Sequence, residues 1–150
     1  WGPRSGSDSN QNWDTHRRNF YFLREHLLPP TDRGLAALIL DLERLGMLDE
    51  TLVVCMGEFG RTPEINAQAG RDHWPYCYTV MFAGGGIRGG AVYGASDAKA
   101  AFPKEDAVTP EDIAATIYAA LGLDPHTEIR DPAGRPFPIA LGQPIAPLFD

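Results

Sequence analysis

The sequence predicts an α/β domain, a mostly parallel sheet flanked by helices, and three observations lead there. The run "TLVVCMG" is β-branched or apolar at successive positions, and "YTVMFAGGG" repeats that character. Strands apolar at every position are buried on both faces, as in parallel sheets covered by helices. Stretches with helical spacing precede the first run and follow the second, so the order helix, strand, loop, strand, helix describes a layered sheet.

The chain has 150 residues, enough for one domain with its own core. Its net charge of −7 and lack of a long basic run make it a poor candidate for duplex nucleic acid or anionic membrane, while its scattered arginines leave room for a local anion site. No apolar run approaches the ~20 residues of a membrane-spanning helix. The opening "WGPRSGSDSN" has neither an initiator Met nor a signal-peptide pattern and reads as a piece of something longer. Residues 1–12, rich in Gly, Ser, Asn and Asp, are expected to form a flexible segment ahead of a domain over 13–150. Cys55 and Cys77 sit in apolar runs and read as buried free thiols.

After "WDTH", Phe20, Leu23, Leu27 and Leu28 share a helical face that Pro29-Pro30 should stop. A second helix follows in "TDRGLAALILDLERLG". Leu35, Leu38, Ile39, Leu42 and Leu45 recur at helical spacing, Thr31 or Asp32 stands as its cap, and Gly46 as its left-handed stop. A third helix is predicted in "TPEDIAATIYAALG", with Thr109 as N-cap, Pro110 at the first position and Asp112 closing a capping box. Its buried face is Ile113, Ile117 and Leu121. The proline-rich tail from Gly134 should wrap the surface in extended form. The expected core is Leu35, Leu38, Ile39, Leu42, Val53, Val54, Val80, Phe82, Ile113 and Ile117.

Ligands in open α/β sheets collect beyond the carboxyl ends of strands. Glu58 lies just past "TLVVCM", and the loop it opens carries Arg61, Arg71, Asp72 and His73. Such a loop is either a site or a solvated surface with ion pairs. Asp14 and His16, two apart in "WDTH", point the same way if the chain is extended there; as a helix start they would be a cap and a first-turn residue. Together these clusters offer five oxygen or nitrogen donors, Asp14, His16, Glu58, Asp72 and His73. A mixed carboxylate–imidazole set suits a divalent metal such as zinc, manganese or iron. Asp72 or Glu58 could instead orient His73 from behind. Arg61 and Arg71 stand as anion-binding groups. The glycines of "GGGIRG" fit a dinucleotide fingerprint in spacing, but no helix opens within them, so a turn is the better reading. Trp74 reads as a packing anchor.

"WDTHRRNF", "LVVCMGEFGRTPEIN", "AGRDHWPYCYTVMFAGGGIRGG" and "ATIYAALGLDP" resemble the bacterial family known as domain of unknown function 1501. The resemblance covers nearly the whole chain after the first dozen residues. It implies membership of the alkaline phosphatase superfamily, which includes sulfatases, and hence a partial alkaline phosphatase-like domain with two metals at the strand ends. On that reading Asp14 and His16 serve one metal, His73 is the late histidine ligand, and zinc or manganese is the cofactor. Phe59 stands where the superfamily's usual histidine would follow Glu58. The nucleophile and the remaining N-terminal part of the domain would lie upstream of Trp1. The implied function is the C-terminal portion of a metal-dependent phosphatase- or sulfatase-like hydrolase acting on a small anionic ester, inactive as this chain alone. The alternative is a degenerate, non-catalytic member that serves as a metal- or ligand-binding or structural module. Family members are typically exported, which implies a periplasmic location.

Overall fold

The computed structural model describes residues 12–149, so the segment expected to be flexible lies, apart from Asn12, outside the described residues. Helical structure begins with α1 (Asn19–Phe22), passes through a π-helical turn over Leu23–Leu27 and continues as α2 (Leu28–Arg44). Pro29-Pro30 does not end a helix here. Both prolines fall at the first positions of α2, where their fixed φ suits the helix. The wider π turn before them takes up the change in hydrogen bonding. With α2 starting at Leu28, neither Thr31 nor Asp32 caps it. Gly46 does take the left-handed conformation just past its end (φ 68°).

The strands correct the expected sheet. β1 (Val53–Cys55) pairs with β4 (Met81–Ala83), and the pair is antiparallel, with Val54 opposite Phe82. β2 (Gly60–Arg61) pairs with β3 (His73–Trp74), β5 (Ala95–Ser96) with β6 (Pro103–Glu105), and β7 (Glu128–Arg130) with β8 (Pro136–Pro138). All four are separate two-stranded antiparallel ladders. A mostly parallel, alkaline phosphatase-like sheet is therefore not the architecture. The physical reason lies in the connection. Parallel neighbours need a crossover, usually helical, and residues 56–80 contain no helix. The apolar runs recorded partial burial and said nothing about the direction of the partner strand.

Burial corrects the expected core in the same sense. Leu35, Ile39, Leu42, Val53, Val54, Val80, Phe82 and Ile117 are half-buried, and Leu38 is exposed. Of the ten only Ile113 is buried. Cys55 is exposed and Cys77 half-buried, both as free thiols.

The tightest packing is around α3 (Pro110–Ala120), whose capping box forms as the sequence predicts: Thr109 Oγ1 accepts from Asp112 N–H, and Asp112 accepts from Thr109 N–H. Ile113, Ala115 and Thr116 are buried beneath the tail, which contributes Ala140, Ile145 and Leu148. Gln143 N–H donates to Asp112 Oδ1 at 2.8 Å and Ile145 N–H to Thr116 Oγ1 at 3.0 Å, stitching the tail to the helix. Leu121, expected on the buried face, is exposed. A second cluster buries Phe22, Leu27, Thr15 and Asn19, and this one positions the site. Among the described residues no helix is long and apolar enough to cross a membrane.

Candidate metal centre

Asn66 organises the site. Its Oδ1 accepts from Gln68 N–H (3.0 Å) and Gly70 N–H (2.9 Å), closing residues 66–70 into a tight turn. Its Nδ2 donates to the His16 carbonyl at 3.0 Å and reaches Asp72 Oδ1 at 3.2 Å. The segment before α1 then docks on this turn through Arg71 N–H to Thr15 O, Arg18 N–H to Gln68 O and Asn19 N–H to Ala69 O. Gly70 makes the docking sterically feasible, since a Cβ there would overlap the His16 carbonyl and the Arg17 nitrogen. Thr15 and Asn19 are buried and hydrogen-bonded to each other, so Asp14 and His16, on either side of Thr15, face outward together. The β2–β3 ladder brings His73 beside them by placing it opposite Arg61.

Asp14, His16 and His73 form one cluster of donor atoms. Asp14 Oδ1 is 3.0 Å from His16 Nε2 and 2.7 Å from His73 Nε2, and the two imidazole nitrogens are 3.1 Å apart. A circle through these three atoms has a radius of about 1.7 Å, less than the ~2.0–2.1 Å of a zinc–nitrogen or zinc–oxygen bond, so one cation reaches all three from one side. Asp72 Oδ1 sits 2.6 Å from His16 Nδ1. A carboxylate there holds the proton on Nδ1 and turns the Nε2 lone pair toward Asp14, the orientation a metal-binding histidine requires.

The carboxylates are ionised in this setting. The His73 hydrogen bond, followed by that of Arg61, holds Asp14 down to about 2. Asp72 is also lowered, first by His16 and then by Asn66.

Glu58 is exposed and stands outside the three-residue cluster. Its neighbour Phe59 lies against the His73 ring, with centroids 4.3 Å apart. Arg61 donates to Asp14 Oδ1 at 2.7 Å, to the Trp13 carbonyl at 2.9 Å and to the Arg71 carbonyl at 3.2 Å. Arg71 donates to the Thr62 carbonyl at 2.8 Å, and its guanidinium lies over Phe20. Both arginines thus tie the site's loops together. Asn66, Gly70 and Thr15 were missed by sequence reasoning. The turn signal in "INAQAG" was present, but its partner segment fifty residues upstream was not readable from it.

A small domain of helices and two-stranded hairpins, carrying an open Asp–His–His cluster at the end of one ladder, is the class that the fold and site define. The chain belongs to the DUF1501 family, described as a protein of unknown function, whose family model matches residues 5–149. No curated protein and no solved structure matches it. The phosphatase- or sulfatase-like hydrolase expected above is corrected here. It depended on metals and a nucleophile gathered along the ends of a mostly parallel sheet, and separate antiparallel ladders provide no such edge.

Proposed function

We propose that this domain is a divalent-metal-binding module in which Asp14, His16 and His73 are the protein ligands and Asp72 is the carboxylate that orients His16. The observation that carries the reading is the triangle of donor atoms, 2.7 to 3.1 Å on each side, backed by the 2.6 Å Asp72–His16 contact. Two imidazoles and one carboxylate form a zinc-type donor set, whereas manganese favours oxygen-rich sites, so zinc is the expected ion. Three protein ligands leave a position on the cation for water or another ligand. Asp14 and His73 are each about half exposed, so that position faces solvent.

Metal content of the purified chain and calorimetric titration with zinc and manganese test the reading. One equivalent of zinc should bind, more tightly than manganese. His73→Ala and Asp14→Ala should abolish binding, while Glu58→Ala and Arg61→Ala should retain it. A wild-type chain that takes up no zinc, or a His73→Ala variant that binds like the wild type, refutes it.

A further inference from the structure

A cavity of about 430 Å³ opens on the far side of Asp72 from His16, between the 62–66 loop and the β5–β6 turn. Its volume falls in the ~300–1,000 Å³ range of small-molecule sites. Its larger apolar side chains are Trp74, Phe102 and Ile65. Phe102 and Ile65 are exposed. The Trp74 indole is fixed in place, because its Nε1–H donates to the Ala101 carbonyl at 2.6 Å and its ring packs edge-on against Tyr76 and Phe102. The turn bearing Lys99 and Phe102 is also fixed, by Asp97 Oδ1 accepting from the N–H groups of Lys99 and Ala101.

The cavity's polar side chains, interspersed among these, include Glu64, Asn66, Asp72 and Lys99. Their formal charge is one positive against two negative, or −1. An anion would face Glu64 and Asp72, and an organic cation would face the Lys99 ammonium. A purely apolar ligand would strip water from four polar side chains without replacing their hydrogen bonds. An aliphatic zwitterion matches both signs of charge but offers the aromatic lining no flat face. What satisfies both the aromatic and the polar lining is a neutral ring with an apolar face and several hydroxyl groups around its edge. The face stacks on a rigid aromatic, and the hydroxyls both donate to carboxylates and accept from an ammonium.

We propose that this cavity is a saccharide-binding site, with Trp74 and Phe102 as its stacking surface and Glu64, Asp72 and Lys99 as its hydroxyl-binding groups. The site adjoins the metal cluster through Asp72 and does not depend on it. Binding is therefore measured in the presence of a chelator, so that failure of the metal reading leaves this test intact.

The experiment uses saturation-transfer NMR and calorimetry on the whole chain with methyl β-D-glucopyranoside, methyl α-D-mannopyranoside and methyl β-D-xylopyranoside. Tetramethylammonium, leucine and inorganic phosphate serve as the competing chemistries. At least one pyranoside should bind with a Kd near ~1 mM, the scale of a shallow site with few contacts. Phe102→Ala should weaken it about three- to tenfold, the scale of one aromatic contact. Lys99→Met and Glu64→Gln alter only exposed rim groups and leave the fold in place, so they keep the test valid if an aromatic variant misfolds. Each should weaken binding by at least about threefold, the loss expected for one hydrogen bond. No binding of any pyranoside, tighter binding of tetramethylammonium, leucine or phosphate, or affinities unchanged in both rim variants would overturn the proposal.

Discussion

Replacing Gly70 with alanine adds a single methyl group at the point where two segments cross. The new Cβ would overlap the His16 carbonyl and the Arg17 nitrogen. Both are backbone atoms, and no side-chain rotation relieves the clash. Either the 66–71 turn or the segment before α1 must move away. Four hydrogen bonds span that crossing: Arg71 N–H to Thr15 O, Arg18 N–H to Gln68 O, Asn19 N–H to Ala69 O, and Asn66 Nδ2 to His16 O. Loss of two or three of them at ~0.5–1.5 kcal/mol each gives about 1–4 kcal/mol. Overpacking a tight contact costs a similar ~1–3 kcal/mol, so the two routes of relief converge on about 2–3 kcal/mol. For a chain of this length that is a fall in Tm of roughly 4–12 °C. Separation of the segments also draws His16 away from Asp72 and His73, so zinc affinity should fall by more than about tenfold, the low end for losing the carboxylate behind a ligating histidine. Thermal unfolding followed by circular dichroism, with a competitive zinc titration on the same samples, reads both effects. A Gly70→Ala variant with wild-type Tm and wild-type zinc affinity would refute the claim that this crossing builds the cluster.

Asp72→Asn should weaken zinc binding by ~10–100-fold in the same titration while leaving the circular dichroism spectrum unchanged, because the amide cannot hold the His16 proton as a carboxylate does. Thr109→Ala should cost about 1 kcal/mol in urea unfolding through loss of the α3 cap. Asp112 has its folded-state acidity raised by the Gln143 and then the Thr109 backbone N–H groups, so its pKa is lowered. Its contribution is therefore present above the unfolded carboxylate value of ~3.9 and is lost as pH falls through the lower folded value. Asp112→Asn should remove that part of the acid-side loss, read as a shallower decline in Tm between about pH 5 and pH 2. Ile113→Ala should cost ~2–5 kcal/mol and Leu38→Ser under about 1 kcal/mol, since Ile113 is buried and Leu38 is 48% exposed; equal costs would mean that α2 is packed more tightly than described.

What the sequence disclosed follows the range of the forces involved. The start of the third helix was legible to the residue because Thr109, Pro110 and Asp112 act within one turn and need nothing distant. Pro29-Pro30 misled because the same dipeptide ends one helix or opens the next, depending on whether a π turn precedes it. Strand direction was illegible. Val53, Val54 and Phe82 are apolar whether their partner runs parallel or antiparallel, and only the missing crossover helix decides. At the site, the spacing of Asp14 and His16 around one inward residue was readable as a pair sharing a face. Their meeting with His73 depends on Asn66 and Gly70, whose contacts span fifty residues and leave no periodic mark. Adjacency in sequence makes Asp72 a partner for His73, yet the turn presents it to His16 instead.

The uninterrupted passage from α1 through the π turn into α2 runs from Asn19 to Arg44, or 44 − 18 = 26 residues. At ~1.5 Å per residue it is a rod of roughly 39 Å. One end is pinned: Arg18 and Asn19 hydrogen-bond to Gln68 and Ala69, the turn that carries the metal cluster's supports. The other end, over Leu28–Arg44, contains no buried residue. The π turn and the Pro29-Pro30 step lie between the two ends, so a displacement of α2 reaches the turn that holds Asp72 against His16 only as far as that joint stays stiff.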